Sequence, residues 1–216
     1  MVRRARFRDV HDFRFVEGFN LIQGTGGSGK TNLVRALEFA LFGRTQGQSD
    51  RNLINHLHRS DCEKQGATPG CEVSAVFRCD ERDLTINRRL LDRIDGLKQT
   101  VMVDSEFIDL ISPEGFKRMV IREQDIEPLG GLSIGESTPI HVLNVLVRNL
   151  CDGIGIALLD SVFCRLAREK SFELLSRLGS FGLEQIILLE PHGFDRSLVE
   201  RFNANIIELQ YPLLAD

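Results

Sequence analysis

The chain has 216 residues, enough for one or one and a half domains of ordinary size with a full hydrophobic core. Hydrophobic residues make up 42% and charged residues 27% of it, which excludes wholesale disorder. Its net charge of −4 argues against a module that coats nucleic acid by charge alone. No apolar run approaches the roughly 18 residues of a membrane span. The five cysteines form no CxxC pair, which favours a cytoplasmic chain with reduced thiols.

Short strands are predicted over the first 23 residues, because apolar and polar residues alternate there. A glycine-rich loop follows. After the loop, apolar residues recur at helical spacing from Leu33 to Leu41, and Gly43 marks the predicted end of that helix. The N-terminal part therefore has the order strand, glycine loop, helix.

The middle of the chain is predicted to form a β-meander over residues 71–103, because three strand-like runs are separated by turn-forming residues. A short helix is predicted at 52–58. The other predicted elements are helices at 106–120, 137–150 and about 165–178, and strands at 154–159, 185–189 and 204–209. This alternation predicts an α/β fold with a mixed sheet, helices on the sheet faces and an inserted antiparallel meander.

Residues 24–31 match the pattern of a phosphate-binding P-loop, with a strand before them and a helix after them. Glycines let successive backbone N–H groups surround phosphate oxygens, and the helix dipole favours the same anion. Lys30 is predicted to reach the β- and γ-phosphates and the Thr31 hydroxyl to ligate Mg²⁺. The chain contains no Asn-Lys-x-Asp segment for guanine, which favours ATP over GTP. The residues predicted to bind ATP here are Gly24, Gly26, Gly27, Ser28, Gly29, Lys30, Thr31 and Asn32.

Asp160 ends the apolar run 154–159 and is predicted to hold Mg²⁺, although a surface aspartate after a buried strand is the alternative. Many P-loop hydrolases carry a glutamate directly after this aspartate. Here the position is Ser161, whose neutral hydroxyl is a poor base near pH 7. The sequence therefore predicts ATP binding with slow or absent hydrolysis, unless another carboxylate substitutes. Glu190, at the end of the next strand, is a candidate for that role or a solvated strand terminus.

Two further segments carry candidate ligands. Gln124 follows an apolar strand and is predicted to contact Mg²⁺ and the attacking water, with an ordinary exposed glutamine as the alternative. Ser133 and Gly135 stand at the head of a predicted helix, where a hydroxyl and backbone N–H groups make a good ligand for a γ-phosphate. Ser133 and Glu136 also fit a capping box.

In this order the motifs resemble the ATPase head of the ABC superfamily, in the branch of SMC proteins, related double-strand-break repair ATPases, RecF and RecN. The resemblance rests on residues 7–10 and 19–24, on the P-loop helix and on the meander. It covers nearly the whole chain and implies a single head over 1–216. Within it, a Walker A lobe is expected at 1–125 and a signature and Walker B lobe at 126–216.

The resemblance implies roles for the remaining site residues. Gln124 is then the Q-loop glutamine, residues 132–136 are the signature, and His192 is a switch histidine that senses the γ-phosphate. The expected catalytic residues are Gln124, Ser161 and His192. The signature residues expected to bind ATP are Ser133, Gly135 and Glu136. The expected metal ligands are Thr31, Gln124 and Asp160. An ATP-sandwiched homodimer is also implied, because in the family the signature serine of one subunit contacts the γ-phosphate at the other subunit's P-loop.

Three features depart from the family pattern. Only seven residues separate Gln124 from Leu132, which leaves no room for a long coiled coil or for the helical subdomain of transporter ATPases. Ile134 replaces a signature glycine, and Ser161 replaces the catalytic glutamate.

The sequence leaves three functions open. The first is an ATP-gated dimerising head with weak ATPase activity in DNA repair or chromosome maintenance, with DNA and a nuclease or other repair protein as partners. The second is a nucleotide-dependent scaffold or sensor without hydrolysis, which Ser161 favours. The third is a transport ATPase subunit, which the meander and the missing helical subdomain disfavour. No membrane partner is expected.

Overall fold

The computed structural model describes residues 2–3, 10–45, 54, 56–79, 82–103 and 112–209 of the chain. The strands are β1 (Val2–Arg3), β2 (Val10–His11), β3 (Gly18–Gly24), β4 (Gly70–Cys79), β5 (Arg82–Arg93), β6 (Gly96–Val103), β7 (Val120–Arg122), β8 (Ile156–Asp160), β9 (Gln185–Pro191) and β10 (Asn205–Leu209). The helices are α1 (Lys30–Phe42), α2 (His56–Lys64), α3 (Pro113–Met119), α4 (Ile134–Cys151), α5 (Arg168–Ser180) and α6 (Ser197–Glu200), with a 3-10 turn at Glu123–Asp125.

The chain divides into two compact units, and the described residues of each form a five-stranded sheet. One unit lies within residues 1–14 and 31–112, and the other within 15–30 and 113–216.

The first unit contains an antiparallel sheet of order β2-β1-β4-β5-β6. Its last three strands confirm the predicted meander. Leu84, Ile86 and Leu90 of β5 are buried at alternating positions, which is the pattern of a strand with one face on a core. Arg88, on the same strand, donates hydrogen bonds to the carbonyls of Ala40 (3.0 Å) and Leu41. This guanidinium therefore stabilises the C-terminal end of α1, where the helix dipole favours a cation.

The second unit contains a wholly parallel sheet of order β10-β3-β9-β8-β7. Its central strands are almost continuously apolar and buried, as expected when helices cover a parallel sheet. Buried residues of α4 and α5, among them Val142, Leu146, Leu174 and Leu178, join the strands in one hydrophobic core. The predicted α/β fold class is confirmed.

The strand order decides where the functional residues lie. Since the strands are parallel, their carboxyl ends share one edge of the sheet, where α/β proteins commonly bind ligands. At this carboxyl edge β3 ends at Gly24, β9 carries Glu190 and β8 ends at Asp160. The central position of β9, between β3 and β8, places Glu190 between the P-loop strand and the strand of Asp160.

Most predicted elements are found close to their expected bounds. The short helix expected at 52–58 overlaps α2 only at residues 56–58, and Ile54 lies in a β-bridge instead. Helix α4 begins three residues before the predicted start at 137. Parts of the predicted N-terminal strands, of the 52–58 helix and of the 106–120 helix lie outside the described residues. No helix in the described part of the chain is long and apolar enough to cross a membrane.

Candidate functional site

The P-loop connects β3 to α1, and its glycines meet two different physical demands. Gly27 and Gly29 have positive φ angles of 80° and 100°, a backbone region that side chains disfavour. Gly24 is required for space instead, because a Cβ there lies 2.4 Å from Ser28 Oγ and 2.9 Å from the Leu209 carbonyl. At these three positions a residue with a Cβ would therefore be strained or would clash with its neighbours.

Lys30 folds back over this loop from the first residue of α1. Its ammonium donates hydrogen bonds to the carbonyls of Gly24 at 2.7 Å and Thr25 at 3.1 Å. Burial lowers the pKa of Lys30 below its usual value, while the nearby carboxylates of Asp160 and Glu190 act in the opposite direction. The cation is therefore held beside two acids at the carboxyl edge. Thr31 and Asn32 follow it in the first turn of α1.

The loop fits a polyphosphate ligand. Ser28 is buried, and its hydroxyl finds no hydrogen-bond partner among the residues that the structure describes. A buried polar atom without a partner costs about 1–3 kcal/mol, so it indicates a ligand or water. Within the described ranges no group of three or more histidine, cysteine, aspartate or glutamate residues is arranged to hold a metal ion.

Asp160 is buried at the end of β8 and is followed by an unusual backbone position. Ser161 has a φ angle of 60°, in the left-handed region, and its N–H donates to the Leu189 carbonyl at 2.9 Å. Its hydroxyl lies 3.4 Å from Asp160 Oδ1, as a weak donor to that carboxylate. A hydroxyl that donates to Asp160 is not oriented as a base.

Glu190 is fully buried, so the interpretation of this residue as a solvated strand terminus is wrong. One carboxylate oxygen, Oε1, accepts the N–H of Phe163 at 3.1 Å, and the other, Oε2, has no hydrogen-bond partner among the described residues. Burial raises the pKa of Glu190 to about 8, with a further contribution from Asp160. The N–H groups of Phe163 and Val162 and the Lys30 cation oppose that shift.

The signature tip, defined as residues 132–136, precedes and begins α4. Ser133 is the N-cap, and the Glu136 carboxylate accepts both its N–H at 2.9 Å and its hydroxyl at 2.7 Å. These bonds lower the pKa of Glu136. The Glu136 half of the predicted capping box is therefore formed. Both side chains are exposed, and no described hydrogen bond joins either of them to the P-loop.

Gly135 differs from the P-loop glycines. A Cβ at this position meets only the Arg165 carbonyl at 3.5 Å, which is an ordinary van der Waals distance. The glycine is therefore not required for packing within the described chain.

Gln124 and His192 flank the carboxyl edge. Gln124 lies in the 3-10 turn after β7, two residues beyond Arg122, which is the register partner of Asp160. His192 follows β9 directly, and its ring is exposed. The sheet thus brings the P-loop, Gln124, Asp160 and His192 to one edge, whereas the side chains of Ser133 and Glu136 pair with each other at the signature tip.

One residue of this region was missed by sequence reasoning. Gln23 is buried in β3, and its amide donates to the carbonyls of Pro191, His192 and Phe194 at 2.9–3.2 Å. Arg196 donates to the oxygen of the same amide. Gln23 therefore fixes the turn after β9 to the strand that carries the P-loop. The available signal was a polar residue at the end of an apolar strand.

A strand leads through a glycine loop to a helix that begins with lysine, and another strand of the same parallel sheet ends at a buried aspartate. This arrangement defines a P-loop nucleotide-binding head. A family model described as an AAA domain matches residues 5–129, and the chain belongs to that family.

Curated relatives match part of the chain. Over 86 residues the chain is 36% identical to the chromosome partition protein Smc of Thermoplasma acidophilum. This match covers 39% of this chain and 7% of that protein. Over 107 residues the chain is 27% identical to the DNA repair protein rad-50 of Caenorhabditis elegans, covering 50% of this chain and 8% of that protein. The matched part therefore spans less than a tenth of either relative.

The fold has a counterpart among solved structures. An SMC head, crystallised with the C-terminal winged-helix domain of ScpA, superposes with a TM-score of 0.59 at 16% identity, covering 84% of each chain. The fold is therefore that of an SMC head, in a chain that belongs to the AAA-domain family. The resemblance predicted from the motifs is confirmed.

Proposed function

We propose that the protein is an ATP-dependent dimerising head with slow ATP hydrolysis that acts in DNA repair or chromosome maintenance. The observation that carries this proposal is the P-loop itself, with glycines where a Cβ would be strained or would clash, its unpartnered Ser28 hydroxyl and Lys30 beside two buried acids. Lys30 is assigned to the β- and γ-phosphates, with its bonds to loop carbonyls exchanged for phosphate oxygens. The P-loop pattern assigns the Thr31 hydroxyl to Mg²⁺.

Dimerisation is supported by the exposure of the signature tip. Ser133 is exposed at the α4 N-terminus, where the Glu136 carboxylate accepts its hydroxyl. A helix N-terminus with a hydroxyl at the N-cap attracts phosphate. We assign this surface to the γ-phosphate held by the P-loop of a second copy. That phosphate then replaces the Glu136 carboxylate as the acceptor of the Ser133 hydroxyl.

Slow hydrolysis is supported by Ser161. Its hydroxyl has no basic character near neutral pH and donates to Asp160. Gln124 and His192 are assigned to the attacking water and the γ-phosphate because they flank the carboxyl edge.

The cellular role is drawn from the relatives. One is a chromosome partition protein and the other a DNA repair protein, so we assign the chain to DNA, with a nuclease or other repair protein as partner. The SMC head was crystallised with a domain of ScpA, which supports a protein partner for this head as well.

The second candidate is a nucleotide-dependent scaffold or sensor that binds ATP without hydrolysing it. The serine at position 161 favours this function. Single-turnover hydrolysis, measured with and without DNA, separates the two: phosphate release that DNA stimulates supports the repair ATPase, and tight binding without phosphate release supports the scaffold.

Dimerisation is tested by the solution mass of the chain without nucleotide, with ADP and with ATP·Mg²⁺. We expect doubling with ATP alone. Ser133→Arg places a bulky cation on the signature tip and is expected to remain monomeric while still binding ATP. Lys30→Ala is expected to lose both properties. A wild-type chain that binds ATP and remains a monomer at all protein concentrations contradicts the proposal.

A further inference from the structure

We infer that Glu190 is the catalytic base of this head and takes a proton from the attacking water, in place of the missing glutamate after Asp160. This inference rests on the proposed ATPase function and deepens it. It moves the base that takes the proton from water from the position after β8, where Ser161 stands, to the end of the neighbouring strand β9.

The topology supports the position. β9 lies between β3, which leads into the P-loop, and β8, which ends at Asp160. In the strand register Glu190 faces Gln23, the residue before Gly24, and its neighbour Leu189 faces Asp160. A carboxylate at this point of the sheet has the phosphate loop on one side and the proposed metal ligand on the other.

The hydrogen bonding of Glu190 leaves one oxygen available. The Phe163 N–H holds Oε1 at 3.1 Å, while Oε2 is buried without a partner in the described part of the chain. Phe163 lies three residues after Asp160, so the segment that follows the metal ligand also orients the carboxylate. One fixed oxygen and one unpaired oxygen are what a base needs to accept a proton from a positioned water.

The electrostatic surroundings support the same role. Burial raises the pKa of Glu190, the nearby Asp160 carboxylate raises it further, and the Lys30 cation lowers it. A fully buried carboxyl whose second oxygen has no hydrogen-bond partner lowers the stability of the folded state. Such a cost is typical of functional sites, where perturbed acids collect.

The step balances without any further reagent. The water oxygen forms a bond to the γ-phosphorus while the bond from the γ-phosphorus to the bridging oxygen of ADP breaks, and its electron pair stays on ADP. The water proton moves to Glu190 Oε2 and leaves later with phosphate or to solvent. Lys30 offsets the charge that develops on the leaving oxygen.

The test is single-turnover hydrolysis of ATP by wild type, Glu190→Gln and a matched control. Glutamine keeps the size of the side chain and an acceptor for the Phe163 N–H, but it accepts no proton. Glu184→Gln makes the same chemical change at an exposed residue directly before β9, at the opposite end of that strand. ATP affinity and dimer mass are measured on the same samples.

We expect hydrolysis by Glu190→Gln to fall at least about 100-fold, with ATP affinity and ATP-dependent dimer mass within about threefold of wild type. Glu184→Gln is expected to match wild type throughout. If Glu190→Gln does not fold, Glu190→Asp is used, because it keeps the charge and draws the carboxylate back by one methylene; its rate is expected to fall at least about tenfold.

An undiminished rate in a folded Glu190 variant overturns the inference and leaves the proposed function intact. Wild type that binds ATP and dimerises but releases no phosphate in a single turnover also overturns it, and then the scaffold function holds. Absence of ATP binding in wild type instead refutes the proposed function itself.

Discussion

The carboxyl edge of the parallel sheet and the signature tip are both assigned to the same triphosphate, yet they differ in how well their polar atoms are paired. The carboxyl edge contains two buried atoms without described partners, Ser28 Oγ and Glu190 Oε2. At the signature tip, Ser133 and Glu136 pair with each other and stay in solvent. The first region therefore has unsatisfied polar atoms within the described residues, whereas the exposed pair at the second is satisfied without a ligand.

On the proposed function, nucleotide binding and contact with a second copy therefore use physically separate groups. A buried site with unpaired atoms gains free energy from almost any well-placed ligand atom. An exposed pair with satisfied hydrogen bonds gains only the difference between two acceptors, which suits a reversible contact. Substitutions at the carboxyl edge are accordingly expected to have larger effects than those at the signature tip.

The largest expected effect is on ATP affinity. Lys30→Ala removes the cation that the P-loop pattern directs at the phosphates, and we expect ATP to bind at least about 100-fold more weakly. Isothermal titration calorimetry measures the change. Lys98→Ala, on exposed β6, is the matched control and is expected to bind ATP like wild type. Equal affinity in Lys30→Ala and wild type shows that the nucleotide does not use this loop.

The second prediction concerns stability without nucleotide. The Glu190 carboxyl has a pKa of about 8 in the folded chain against 4.5 as an unperturbed group, so the unfolded state loses its proton first as pH rises. Stability from this group is therefore full below pH 4.5, is lost as pH rises towards 8, and is constant above it. Glu190→Gln lacks this loss and is expected to be more stable than wild type by about 4 kcal/mol at pH 8.

Urea unfolding of both proteins at pH 5 and pH 8 measures that difference. The gain from glutamine is expected to shrink at pH 5, where the wild-type carboxyl is protonated in the folded chain. If Glu190→Gln is less stable than wild type at pH 8, both oxygens of the Glu190 carboxylate have hydrogen-bond partners in the folded chain.

The third prediction is a smaller effect at the signature tip. Ser133→Ala removes the N-cap hydroxyl but keeps the N–H that donates to Glu136, so the monomer is expected to lose only about 1 kcal/mol of stability. The ATP-dependent dimer is expected to weaken about tenfold, the value of one lost hydrogen bond to a charged group. Analytical ultracentrifugation with ATP·Mg²⁺ measures it. Ser176→Ala, exposed on α5, is the control. Equal dimer affinities in the two variants remove Ser133 from the interface.

The smallest effect is expected at Ser161. If the base lies elsewhere, Ser161→Ala changes the single-turnover rate by less than about twofold, since the hydroxyl only donates weakly to Asp160. Phosphate release over time measures the rate. A loss comparable to that of Glu190→Gln would return the catalytic step to the residue after Asp160.

Much of the fold was predictable because its signals are local. The P-loop, the buried run that ends at Asp160 and the meander between residues 71 and 103 each depend on spacing within one segment. The Glu136 half of the capping box was predictable for the same reason, because Ser133 and Glu136 are one helical turn apart.

Other features depend on neighbours far away in the chain. Gln23 stands 168 to 171 positions from the carbonyls that it binds, and no pattern around it indicates those partners. The same holds for Arg88, whose contacts at the end of α1 are 47 and 48 positions away.

Adjacent residues were enough to predict the phosphate loop, the alternation of helices and strands along the chain and the absence of a glutamate after Asp160. The insertion of β9 between β3 and β8, and the burial of Glu190 with one oxygen unpaired among the described residues, became visible only in the fold. Strand order and burial arise from contacts between distant segments, and the free energy of a carboxylate depends on those contacts more than on its neighbours in the chain.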